Sequence, residues 1–196
     1  SSGVHIINVS NPSAPALTGT LNTSGYAQGV ALSSDGKTVY VADGSRGLQI
    51  IDVSNPSAPA LTGTLLDTGA SDITLSSDGK TAYVAGYSGG LRIINVSNPS
   101  VPVVTGALFT PGSAQGVALS SDGSMAYVAD YTHGLQIINV SNPSNPQLTG
   151  TIDTSGYARK VTLSPDGKTA YVADETHGLQ IINVSNPSAP ALTGTL

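Results

Sequence analysis

The tripeptide Ser-Asn-Pro recurs with its serine at positions 10, 54, 97, 141 and 185, at spacings of 44, 43, 44 and 44 residues. A fixed period of this size marks an array of small supersecondary units and must be read before any local signal. Between successive Ser-Asn-Pro motifs lies one Asp-Gly pair: Asp35-Gly36, Asp78-Gly79, Asp122-Gly123 and Asp166-Gly167. The 196 residues therefore hold five copies of one half-unit and four of the other.

Each unit reads as four short strands. GVALSSDG (Gly29 to Gly36) is a small-residue strand ending in a hairpin turn. TVYVAD (Thr38 to Asp43) is the return strand, rich in the β-branched and aromatic residues that strands favour. GLQIIDV (Gly47 to Val53) is the third. SNPSAP then turns the chain, because Asn bonds its own backbone and two prolines fix φ. ALTGTL (Ala60 to Leu65) is the fourth, and Pro56 and Pro59 just before it help to blunt a sheet edge. No stretch carries a helical period.

Four strands per 40–45 residues is the blade of a β-propeller. A β-helix has shorter, parallel coils without Asp-Gly hairpins. The expected fold is all-β: a propeller of four-stranded antiparallel blades, four blades plus a redundant half-blade, in a single domain over residues 1–196. The half-blade covers 3–21, and the repeats cover about 22–65, 66–108, 109–152 and 153–196. The strand richest in small residues, GVALSSDG and its counterparts, is expected innermost, where blades crowd.

These residues resemble a known family. GLQIIDVSNPSAP, a GYA segment and TAYVAD resemble the LVIVD repeat of bacterial and archaeal surface proteins, and SPDGKTAYVAD is similar to YVTN and lactonase-type propeller blades. The resemblance spans essentially the whole chain. It implies a propeller, usually extracellular, and implies no reaction.

Composition narrows the role. With a net charge of −5 and 10% charged residues, no cationic track exists for nucleic acid. No apolar run reaches the roughly 18–20 residues of a membrane span. The absence of Cys excludes disulfides and thiolate chemistry. Few charges with many Ser, Thr, Asn and Gly point to a secreted or cell-surface prokaryotic protein. The chain starts inside a repeat with neither an initiator Met nor a signal peptide, so a mature fragment or excised piece is expected.

Loops between the second and third strands (43–47, 86–90, 130–134, 174–178) and between blades (22–28, 67–71, 110–115, 153–159) vary among repeats and share one end of the blades, where a rigid scaffold usually places its sites. GYSGG at 86–90 matches a nucleophile elbow, but it lies in a hairpin loop with no helix after it, so Ser88 is a turn serine. His133 and His177, with Glu175 nearby, could hold a divalent cation; exposed loop is the favoured reading, and no metal or cofactor is expected. Gln28, Asp72, Gln115, Arg159 and Lys160 start the inner strands and should ring the channel mouth, with Asp72 facing Arg159-Lys160. Tyr26, Tyr87, Tyr131 and Tyr157 place aromatic anchors, or interface caps, on the same face. Five Asn-Val-Ser or Asn-Thr-Ser acceptors are read as turn chemistry.

Because no loop set supplies a nucleophile with its base or a phosphate cradle, the expectation is a non-enzymatic interaction module binding an unknown protein or glycan. The alternative is a lactonase- or quinoprotein-like enzyme with Ca²⁺ and substrate at the axis. GVHIINVSNPSAPALTGTL (Gly3 to Leu21) and GLQIINVSNPSAPALTGTL (Gly178 to Leu196) differ at two positions, so either can complete the last blade. A second copy of the chain is accordingly an expected partner, in a two-chain eight-bladed ring, with a four-bladed monomer as the alternative.

Overall fold

The protein is described over residues 3–66 and 69–196 by a computed structural model. β1 (Val4–Asn8) and β2 (Ala16–Leu21) form a two-stranded sheet. Blade 1 is β3 (Gly29–Leu32), β4 (Thr38–Ala42), β5 (Leu48–Asp52) and β6 (Ala60–Leu65). Blade 2 is β7 (Asp72–Leu75), β8 (Thr81–Ala85), β9 (Leu91–Asn95) and β10 (Val103–Leu108). Blade 3 is β11 (Gly116–Leu119), β12 (Met125–Ala129), β13 (Leu135–Asn139) and β14 (Gln147–Ile152). Blade 4 is β15 (Lys160–Leu163), β16 (Thr169–Ala173), β17 (Leu179–Asn183) and β18 (Ala191–Thr195). Within each blade consecutive strands pair antiparallel, and one short 3₁₀ turn covers Glu175–His177.

The Asp-Gly turns are closed by side chains as well as by backbone. Ser120 Oγ donates to Asp122 Oδ1, as do the Ser124 N–H at 3.0 Å and Ser124 Oγ at 2.9 Å. Gly123 supplies the left-handed φ of 72° that the turn requires. These bonds hold the Asp122 carboxyl down at about 2, and the same arrangement lowers Asp35, Asp78 and Asp166. A lowered folded value means that the turns contribute their stability above the ordinary carboxylate range and lose it as pH falls through the folded value.

The core lies between blades. Tyr40, Ala42, Leu48 and Ile50 on one face of blade 1 pack against Ile73, Ala82, Val84, Ile94 and Val96 of blade 2. The same slots repeat at the next junction with Tyr83, Leu91 and Ile93, and at the third with Tyr127, Leu135 and Ile137. The innermost strands β3, β7, β11 and β15 follow one another around the axis, as the small residues require. The half-blade packs Val4, Ile6 and Leu21 against Val39, Val41, Ile51 and Val53 on the other face of blade 1.

The C-terminal pair β17–β18 completes blade 4, so the near-identical N-terminal pair is the redundant one. The four blades do not close on themselves. On the free face of blade 4, Ala173 is exposed and Tyr171, Leu179 and Ile181 are half-buried, although their counterparts at the junctions are buried. On the free face of the half-blade, Ile7 and Val9 are 51% and 64% exposed.

Each outermost strand carries a bulge before a glycine, at Thr105-Gly106 in β10 for example. That glycine lies against the Ser-Asn-Pro turn of the next blade: a Cβ on Gly106 would meet the Pro143 carbonyl at 2.0 Å. Gly194 occupies the same slot in β18 and faces only Ile181 of its own blade. Gly106→Ala is therefore expected to destabilise by about 1–3 kcal/mol through overpacking, with Gly194→Ala close to wild type. Thermal melts of the two variants check this, and equal losses would contradict it.

Candidate functional site

The end of the blades opposite the Asp-Gly turns is built on repeated buried carboxylates that the sequence reading did not single out as structural. Asp130 follows β12 and turns inward, accepting the Thr110 hydroxyl at 2.6 Å and the Gly112 N–H at 2.9 Å. Asp43 does the same with Thr23 and Gly25, and Asp174 accepts Thr154. Each latch ties a blade-to-blade loop to the loop between the second and third strands. Blade 2 has Gly86 at this position. Asp67 and Thr68 of its variable loop lie outside the described residues. The readable signal was a Thr twenty residues before each Asp, at 23/43, 110/130 and 154/174. Burial pushes Asp130 and Asp174 above the ordinary carboxylate range, against the opposing pull of their hydrogen bonds.

Four residues set the loops above these latches. Gly44, Tyr87, Tyr131 and Glu175 occupy one slot and all take positive φ, from 41° at Glu175 to 59° at Gly44. The first three each form a bridge to an alanine of the next blade-to-blade loop (Ala70, Ala114 and Ala158). The left-handed backbone at Tyr87 and Tyr131 is thus fixed by contact with the neighbouring blade.

At the inner rim, Lys160 Nζ lies 2.6 Å from Asp72 Oδ1, spanning from blade 4 to blade 2. The other oxygen, Asp72 Oδ2, accepts the Val117 N–H at 3.1 Å, which pins the carboxylate from blade 3. Asp72 is largely shielded while Lys160 is more than half exposed, so the carboxylate is the fixed member and the ammonium the movable one. Gln28 accepts the Tyr87 hydroxyl at 2.6 Å and the Ser71 hydroxyl at 3.3 Å, and Gln115 donates to Ser113 Oγ at 2.9 Å. The rim therefore gathers a carboxylate, an ammonium, two amides and a phenol from four blades.

The expected pairing of Asp72 with both cations is split. Arg159 turns away to Glu175, with Nε and Nη2 at 3.2 and 3.0 Å from Oε2, and its guanidinium sits 4.7 Å above the Tyr131 ring. The other partner of Tyr131 is Tyr157, stacked at 4.5 Å. Tyr26 stands exposed. His133 and His177 each lie beside the preceding threonine hydroxyl, Thr132 and Thr176, at 3.1 Å. Among the described residues no three His, Asp or Glu side chains gather into a metal-binding group. An axial Ca²⁺ does not fit the described residues either, because Asp72 is the single carboxylate among them at the rim and one of its oxygens already holds Lys160.

The LVIVD repeat family matches residues 1–23, 24–67, 69–110, 111–154 and 155–196. The chain belongs to the LVIVD repeat family. Comparison with curated proteins gives no match. Among solved structures, this LVIVD chain is similar to one described as the periplasmic gluconolactonase of Pseudomonas aeruginosa, with a TM-score of 0.80 and 18% identity over 99% of this chain and 62% of that one. A protein from Lactobacillus plantarum matches with a TM-score of 0.83 and 20% identity, over 97% of this chain and 64% of that one. A putative 6-phosphogluconolactonase from Bacteroides fragilis matches with a TM-score of 0.79 and 18% identity, over 97% and 63%. At these identities the likeness shows the propeller fold, and the LVIVD chain spans less than two thirds of each neighbour's length. No helix among the described residues is long and apolar enough to cross a membrane.

These neighbours overturn the expectation of a non-enzymatic module, since propellers of this shape carry lactonase descriptions. No single loop carries a complete set of reacting groups. Here the carboxylate and the ammonium come from blades two apart and meet only in the folded chain.

Asp130→Ala strands the Thr110 hydroxyl and the Gly112 N–H, and is expected to cost about 1–3 kcal/mol in denaturant unfolding at pH 7. Because the folded value of Asp130 is raised, wild type gains stability as pH falls through that value towards the ordinary carboxylate range. The variant lacks that gain, so the gap between the two widens on mild acidification; a gap that narrows there would contradict the assignment.

Proposed function

We propose that this chain supplies the catalytic rim of a lactonase-type propeller, hydrolysing a polar sugar lactone to its hydroxy acid. The supporting observation is the Asp72–Lys160 pair, a shielded carboxylate facing a mobile ammonium across the axis. In the reaction Asp72 Oδ1 takes a proton from the attacking water as its oxygen bonds to the lactone carbonyl carbon. Lys160 leaves the carboxylate to hold the oxyanion that forms. Collapse breaks the ring C–O bond, and the proton passes from Asp72 to the departing alkoxide, giving the ring-opened hydroxy acid. Gln28, Gln115 and the Tyr87 hydroxyl are the groups at hand for sugar hydroxyls. The lactonase descriptions of the structural neighbours support the same reading. A site outside the cytoplasm agrees with the periplasmic description of one neighbour and with the absence of Cys.

A pH-stat assay on glucono-δ-lactone tests the proposal. Asp72→Asn is expected to lower kcat/KM by about 10²–10⁴-fold, the usual worth of a general base, with the fold retained by circular dichroism. Lys160→Gln should lower kcat by about 10²-fold with less effect on KM. Wild-type hydrolysis no faster than the buffer rate, or an Asp72→Asn variant as active as wild type, would rule the proposal out.

A further inference from the structure

We propose that the pocket between the loops of blades 3 and 4 binds one sugar ring, and that the lactone opened at the rim is the end of a short saccharide whose neighbouring residue sits in this pocket. The second clause rests on the lactonase reading; the first stands without it.

The pocket encloses about 280 Å³, room for a single ring, and is lined by Thr132, Asp153, Ser155, Tyr157, Thr176 and His177. Its floor carries a buried acceptor with nothing to accept. Asp43 and Asp130 each use both carboxylate oxygens in their latches, Oδ1 for a threonine hydroxyl and Oδ2 for the N–H of Gly25 or Gly112. Asp174 repeats the first bond, to Thr154 at 2.7 Å, but its Oδ2 is buried without a hydrogen-bond partner among the described residues. That oxygen lies directly beneath Gly156 of the pocket wall, where a Cβ would stand 2.5 Å from it. A buried carboxylate oxygen left unpaired is costly, and a ligand hydroxyl that reaches it offsets the cost.

The cause is local to one loop. Ser155 takes a left-handed φ of 65° and gives its N–H to Asp153 Oδ1 at 2.9 Å. Blade 3 has Pro111 in that slot, whose ring cannot take such a φ, and there the Gly112 N–H reaches the carboxylate. Phe109 likewise stands where this loop has Asp153, so the fold itself does not require the polar lining. A sugar ring suits that lining better than a bare ammonium. The hydroxyls of Thr132, Ser155 and Thr176 and the carboxylates of Asp153 and Asp174 can each meet a sugar hydroxyl. The Tyr157 ring, stacked on Tyr131 and 38% exposed, offers an apolar surface for the C–H groups of the sugar. Position ties the pocket to the rim. Tyr157 and Lys160 are three residues apart, so their Cα atoms are separated by at most ~11 Å, which a short saccharide spans.

Saturation-transfer NMR with cellobiose, maltose and lactose reads the pocket without any catalysis, and at least one of the three is expected to bind. Ser155→Pro copies the Thr110-Pro111 pair of blade 3 and should return the Gly156 N–H to Asp174 Oδ2. It is expected to raise the melting temperature while weakening the sugar roughly 10-fold or more. Tyr157→Ala should weaken the sugar roughly 10-fold. If that variant fails to fold, Ser155→Pro alone decides. No signal from any of the three sugars overturns the pocket assignment, as does undiminished binding by a folded Ser155→Pro variant or tighter binding of methylammonium than of any sugar. The saccharide extension is read from the aldonolactone of the disaccharide that binds, set beside glucono-δ-lactone. Ser155→Pro should raise KM roughly 10-fold for the first and leave the second unchanged. Equal effects on the two lactones overturn the extension. Hydrolysis of neither lactone by a chain that still binds the sugar overturns the lactonase reading together with the extension, and upholds the pocket.

Discussion

Everything in this molecule depends on one sheet lying face to face on the next. The junction is made from a repeated set of slots, with Tyr, Ala, Leu and Ile from one blade set against Val, Ala and Ile from its neighbour. A buried Ile, Leu or Val is worth about 1.5–3 kcal/mol relative to its exposed state, so each junction outweighs any single turn or ion pair in the chain. Stability in such an array is a sum of repeat and neighbour terms, and the terminal units are the weakest. The two ends of the arc show this physically: the same residues that are buried inside the chain are half-buried or exposed there.

The junctions also make the site. Asp72 and Lys160 belong to blades 2 and 4, and their 2.6 Å approach is set by two successive blade-to-blade rotations with blade 3 donating the Val117 N–H between them. Above the junctions the buried Asp–Thr latches and the alanine bridges fix the loops. The backbone is left-handed at Tyr87 and Tyr131, and Tyr131 holds the stack with Tyr157 and Arg159. Rigid spacing of this kind is what the proposed catalytic pair, on separate elements, requires.

The strands and turns were legible because each repeat states them again: an Asp-Gly hairpin, a proline-bound turn and a small-residue inner strand. The meeting of Asp72 with Lys160 was legible too, since register alone puts both at the start of inner strands. The separate course of Arg159 was not, because it depends on Glu175 taking a left-handed backbone in blade 4 and on the Tyr131 ring beneath the guanidinium. The inward turn of Asp130 and Asp174 onto Thr110 and Thr154 was not legible either, because it takes shape only with the neighbouring loop in place. The choice between the two end segments was also invisible locally, since nearly identical sequences take different roles by position in the chain. The enzymatic reading stood second in the sequence for a related reason. The groups proposed to carry it, Asp72 and Lys160, lie on separate blades, and no single stretch contains them.

Leu135–Asn139 and Leu179–Asn183 are the same pentapeptide, LQIIN, each preceded by Thr-His-Gly. Their intrinsic amide exchange rates are therefore equal, and any difference reports packing alone. NMR hydrogen exchange on the native protein compares them directly. If junctions rather than local sequence hold the fold, the β13 amides should exchange at least ~10-fold more slowly than those of β17, as interior elements do relative to fraying ends. Equal protection of the two pentapeptides would contradict the account.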